Sequence, residues 1–86
     1  MLNNPVICIP RLNNKNISKN FIKNIFRQYQ WGIVYKVDII NNKAFIYFKS
    51  WNDNEKTQII KNRFLKGETL NIIYNNPWFW KCSVKK

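Results

Sequence analysis

The sequence predicts one α+β domain with the element order β-α-β-β-α-β, and three observations predict it. A clear amphipathic helix pattern follows a short N-terminal apolar run. Two β-branched and aromatic runs flank Asn41-Asn42. A second helix pattern, stopped by Gly67, leads into a further apolar run. Eighty-six residues suit one domain rather than two, expected to span 1–86 with a core from 5 to 74 and an aromatic, basic tail from 75 to 86. A chain of this length buries only roughly 60% of its unfolded surface, so its core side chains have to be large. Six Phe, four Tyr and four Trp meet that need.

In order, Pro5 to Leu12 reads as a buried strand closed by Pro10, and Asn13 to Asn16 as a polar turn. Ser18 is placed to cap a helix running to about Tyr29. Ile17, Phe21, Ile22, Ile25, Phe26 and Tyr29 recur there at helical spacing, while Lys15, Lys19, Lys23 and Arg27 line the opposite face. Gln30-Trp31-Gly32 should end this helix, with Gly32 taking a positive φ. Ile33 to Ile40 and Lys43 to Ser50 read as strands joined by a tight Asn-Asn turn. The run Asn52 to Glu55 opens a second helix whose apolar positions include Ile59, Ile60, Phe64 and Leu65. Leu70 to Tyr74 is expected as the last strand, broken by Asn75-Asn76-Pro77. This order implies a ferredoxin-like sandwich: a four-stranded antiparallel sheet with two helices on one face. Trp31 and Trp51, at element ends, read as core plugs, and Cys8 as a packing residue.

Fifteen Lys plus Arg oppose four Asp plus Glu, a formal charge of +11 that suits contact with a polyanion. There is no His, and Cys8 and Cys82 are far apart in sequence, so no metal site and no cofactor is expected. No nucleophile is paired with a base, and no Gly-rich phosphate loop is present, so no enzyme is expected. The apolar runs are too short to span a bilayer, which points to an intracellular location without membrane contact.

Alternation along the third strand sets Lys43, Phe45, Tyr47 and Lys49 on one face and Ala44, Ile46 and Phe48 on the other. If the second set packs under the helices, the first forms an open platform shared by Lys36 and Asp38, with Arg11 at its edge. The first and third strands, Ile7 to Leu12 and Lys43 to Ser50, with Gly32 and the apolar spacing after it, resemble the RNA recognition motif across residues 5 to 74. Cys8 stands where that family places its first-strand aromatic, Ala44 and Ile46 where Gly and a small residue are usual, and Ser50 where a terminal aromatic is usual. The chain is also similar to short proteins encoded by large double-stranded DNA viruses, through Val6 to Arg11, Trp31-Gly32 and Pro77 to Lys81. A viral origin would put it in the cytoplasm or nucleus of a host cell, or in a virus particle.

The resemblance implies base stacking on Phe45 and Tyr47. Lys36, Lys43, Lys49 and Arg11 would neutralise phosphates, with RNA preferred to DNA on that resemblance alone. The alternative is a structural or protein-interaction module of a virus particle or replication site. It would dock a protein partner, or a second copy of the chain, through the sheet face or through Trp78, Phe79, Trp80 and Lys81 of the tail.

Overall fold

The computed structural model describes residues 4–12 and 16–85, so most of the expected turn at Asn13 to Asn16, with Lys15, and also Lys86 lie outside the described residues. The elements are β1 (Ile7–Ile9), α1 (Lys19–Tyr29), β2 (Gly32–Ile40), β3 (Lys43–Trp51), α2 (Glu55–Leu65), β4 (Leu70–Asn75) and β5 (Trp78–Val84). They form one five-stranded sheet in the order β2-β3-β1-β5-β4, every neighbouring pair antiparallel.

Local chemistry accounts for most element ends. The Ser18 hydroxyl accepts the Phe21 N–H (3.1 Å) and opens α1. The helix is closed by Gln30 in the left-handed region (φ 58°), whose N–H reaches the Arg27 carbonyl at 3.2 Å. Gly32 therefore does not supply the positive φ expected of it. It is the first residue of β2, and its lack of a side chain serves a close approach: a Cβ there would run into the Ser50 carbonyl and come within 2.8 Å of the Trp51 Cα. The β2–β3 turn is as expected, with Asn41 and Asn42 both left-handed at φ 50° and 66°. Asn54 caps α2 through its side-chain oxygen, which accepts the Thr57 N–H at 2.8 Å. Gly67 at φ 90° ends it, with the Gly67 and Glu68 N–H groups donating to the Phe64 and Arg63 carbonyls.

Two departures from simple alternation matter for the faces of the sheet. Pairing steps from Ile33–Ser50 to Val34–Phe48, leaving Lys49 as an extra residue on β3, and then to Lys36–Tyr47, leaving Tyr35 extra on β2. The first irregularity reverses the parity of β3, so Trp51 turns into the core although strict alternation would set it beside Phe45.

The larger correction concerns the expected four-stranded sheet and the tail. Leu70–Asn75 is an outer strand paired with β5, and β5 takes the place beside β1, with Ile7 opposite Val84 and Cys8 opposite Ser83. The physical reason lies in the inward side chains of β5. Trp80 and Cys82 are both fully buried in the cluster with Ile7, Ile9 and Phe26, and a place beside β1 puts them there, whereas β4 buries only Ile72 fully and tolerates an edge. The Asn75–Pro77 break is a hairpin turn, and the core extends well past residue 74. Tyr29 ties the outer strand to α1: its hydroxyl accepts the Ile73 N–H (2.9 Å) and donates to the Ile73 carbonyl (3.1 Å).

A single core lies on one face of the sheet. Ile22, Ile25 and Phe26 of α1 and Phe64 of α2 meet Ile7, Ile9, Ala44, Ile46, Phe48, Ile72, Trp80 and Cys82. Trp31 and Trp51 plug one end as expected, stacked on each other at 5.8 Å with Phe48 against Trp51 at 4.4 Å. Ile59 and Leu65 of α2, expected on its apolar face, are exposed, and that helix buries only Thr57 and Phe64 fully. No helix among the described residues is long and apolar enough to cross a membrane.

Two substitutions check this arrangement by urea denaturation. Trp80→Ala should cost about 3–5 kcal/mol, as for a large aromatic in a core, where a loose tail residue would cost next to nothing. Gly32→Ala should cost roughly 1–3 kcal/mol because β2 and β3 have to part to admit the methyl group.

Candidate nucleic-acid interface

The face of the sheet opposite the helices is built from the alternate residues of the same strands. Its central row, read from the pairing, is Ser83, Cys8, Phe45 and Asp38. Tyr47 stands opposite Lys36 and Lys43 opposite Ile40, one step to either side. Phe45 and Tyr47 are half-buried, roughly 7 Å apart along β3. Among the described residues no helix or strand lies across them. The segment from 78 to 84 joins the sheet side by side and leaves this face open.

Cations surround the two rings. The Lys36 ammonium is 4.9 Å from the centre of the Tyr47 ring and 3.4 Å from Asp38 Oδ2. The Lys85 ammonium is 5.3 Å from the centre of the Phe45 ring. Lys43 and Lys49 are exposed at either end of β3, Lys49 as the extra residue of its bulge, and Arg11 is exposed just beyond β1. The expected residues Phe45, Tyr47, Lys36 and Lys43 are thus brought together, with Lys49 and Arg11 at the margins.

Two contributors escaped the sequence reading. Lys85 belongs to the expected tail, yet its N–H donates to the Val6 carbonyl at 2.7 Å and so brings it alongside β1. Tyr35 would face the helices under strict alternation, but the bulge turns it out, 57% exposed and 6.2 Å from the Tyr47 ring. The tail group divides: Trp80 belongs to the core, while Trp78, Phe79 and Lys81 are exposed. The basic residues Lys19, Lys23 and Arg27 lie on α1, on the other side of the sheet.

Cys8 occupies the middle of the open face. Burial pushes its thiol above the ordinary range, and the positive charges of Lys43 and Lys85 pull in the opposite direction without cancelling that effect. Cys82, buried on the core side, is pushed up far more by the same desolvation. Both thiols are free. Among the described residues no three His, Cys, Asp or Glu side chains come together as a metal would require.

No protein-family model matches the chain, and comparison with curated proteins and with solved structures gives no significant match.

The thiols offer a direct check of the two faces. In the native protein a maleimide should modify Cys8 and spare Cys82. The rate at Cys8 should rise at higher pH than for an unhindered thiol, since a raised pKa leaves less thiolate at any given pH. Mass spectrometry of peptides after timed labelling reads both.

Proposed function

We propose that the open sheet face binds single-stranded nucleic acid, RNA foremost, without catalysis. The observation that carries this reading is the pairing of half-buried rings with lysines: Phe45 under Lys85 and Tyr47 under Lys36, on a face no described element covers. Relative strengths decide what happens when a base arrives. A cation over an exposed ring is worth about 0.5–1 kcal/mol, whereas base stacking on such a ring is worth about 1–3 kcal/mol. A base therefore displaces the ammonium, and the released lysine is free to meet the adjoining phosphate. The Lys36–Asp38 ion pair does not prevent this, because it is partly exposed (51% and 30%) and such pairs contribute at most about 1 kcal/mol.

The preference for RNA is supported by the resemblance of β1 and β3 to the strands of the RNA recognition motif, with Lys43, Phe45 and Tyr47 in the corresponding positions. Cys8 in place of the first-strand ring leaves stacking to β3 and to Tyr35 at its side. Docking of a protein through the tail has less support. Trp80 is 1% exposed, and the remaining Trp78 and Phe79 lie beside Arg11 and Lys81.

Fluorescence anisotropy with a labelled single-stranded RNA tests the proposal. Phe45→Ala with Tyr47→Ala should weaken binding at least tenfold, given about 1–3 kcal/mol per stacked base. Affinity should fall with salt at a logarithmic slope of roughly −3 if Lys36, Lys43, Lys49 and Lys85 each neutralise one phosphate. Unchanged affinity in the double variant would remove the stacking platform. A salt slope near zero would remove the phosphate contacts.

A further inference from the structure

A cleft outside the platform carries charge and aromatic surface of its own. It lies where the chain leaves β1 and the β4–β5 hairpin turns, holds about 490 Å³, and is lined in part by Pro10, Arg11, Pro77, Trp78, Phe79 and Lys81. Its volume falls within the range of small-ligand sites. Trp78 is 60% and Phe79 40% exposed, an unusual amount of bare aromatic surface for a domain this small. The two charged residues of the cleft are cations, and no carboxylate among the described residues lines it.

The cleft and the platform belong to the same side of the sheet. Phe79 lies opposite Ile73, and Lys81 opposite Asn71, on the outward parity of β5 that Ser83 shares. Ser83 is level with Cys8, and Cys8 with Phe45. Phe79 is thus four residues along β5 from that row and two strands over, on the order of 17 Å from Phe45. Lys43, beyond Pro10 and next to Ala44 opposite Ile9, stands between the two places.

We propose that this cleft is a further nucleotide subsite: Phe79 takes a base, and Arg11 and Lys81 take its phosphate. The inference rests on the reading of the open face as a nucleic-acid platform, and it adds a second aromatic contact separated from the first by several nucleotides. The charge favours this occupant over others. A second copy of the chain brings the same +11 and is repelled. A protein partner needs an interface on the order of 1,200 Å² or more, far beyond two aromatic side chains. A nucleotide needs one ring to stack on and one or two cations, and that is what the cleft offers.

Oligonucleotide length separates the two places. Affinity of the unaltered protein is measured by anisotropy for oligouridylates of roughly 4 and roughly 10 nucleotides, within the span of known single-strand sites. The longer oligomer should bind more tightly. Phe79→Ala should remove most of that gain, about fivefold or more for one stacked base, while binding of the shorter oligomer stays unchanged. Phe79→Leu keeps the apolar volume and should lose the gain equally, and Lys81→Gln should lose part of it. Phe45→Ala with Tyr47→Ala should instead weaken both lengths. A gain that persists in Phe79→Ala and Phe79→Leu, each with the native unfolding midpoint, overturns the subsite and leaves the platform standing. If the unaltered protein binds neither oligomer, the platform reading fails and the subsite with it.

Discussion

β3 is the strand on which both sides of the molecule are built. Ala44, Ile46 and Phe48 are at most 3% exposed and lie at the centre of the core, with Phe26 of α1 edge-on to Phe48 at 6.2 Å. Burying each of the larger side chains is worth about 1.5–3 kcal/mol. A slip of one residue would exchange them for Lys43, Phe45 and Tyr47, or for Phe45, Tyr47 and Lys49, and place an ammonium group beneath the helices, a far larger penalty. The Asn41-Asn42 turn, with both residues left-handed, fixes the same register from the end of the hairpin. The rings of Phe45 and Tyr47 therefore face outward because the core claims their neighbours, and the platform needs no interaction of its own to hold it in place.

The charge distribution then gives this face its chemistry. With four carboxylates against fifteen cations in the whole chain, the compact state repels itself, and salt screens that repulsion only beyond about 10 Å. Asp38 is the acidic residue of the central row and is already engaged by Lys36 at 3.4 Å. Among the described residues Lys85, Lys43 and Lys49 take part in neither ion pair, Lys36–Asp38 or Arg63–Glu68, so a polyanion laid on the face would relieve repulsion that the fold itself leaves in place. Binding and stability are linked in that case: a ligand that associates with the folded chain stabilises it by mass action.

How much of this could be read from the residues depends on whether the deciding contact is local. Ser18, Asn54, Gly67 and the Asn41-Asn42 turn act within a few residues of themselves, and the elements they bound are where the sequence places them. The inward and outward sets of β3 follow from a two-residue period and were equally legible, as was the grouping of Phe45, Tyr47, Lys36 and Lys43. The place of β5 was not. Residues 78–84 contain the alternation Trp80, Cys82, Val84, but periodicity says that a strand exists and not which strand it pairs with. Leu70 to Tyr74 offers an earlier end to the fold, so the sequence alone leaves Lys85 and Phe79 in a tail. Tyr35 was lost to a different cause: a single extra residue reverses the parity of everything before it, and nothing in the composition of β2 marks where that residue falls.

The fifth strand also changes what kind of surface the face can be. With β5 between β1 and β4, the middle of the sheet is occupied by Cys8 and Ser83, both small, and the large rings are displaced to either side: Phe45, Tyr47 and Tyr35 toward β2, Phe79 toward β4. Small side chains at the centre thus separate two groups of rings. A rigid, flat partner resting on both groups would bridge Cys8 and Ser83 without filling the space above them. A flexible polymer with a charged backbone and separable flat rings can meet each group in turn. With Cys8 in the central row, the aromatic surface of this face stands to either side of β1 rather than on it.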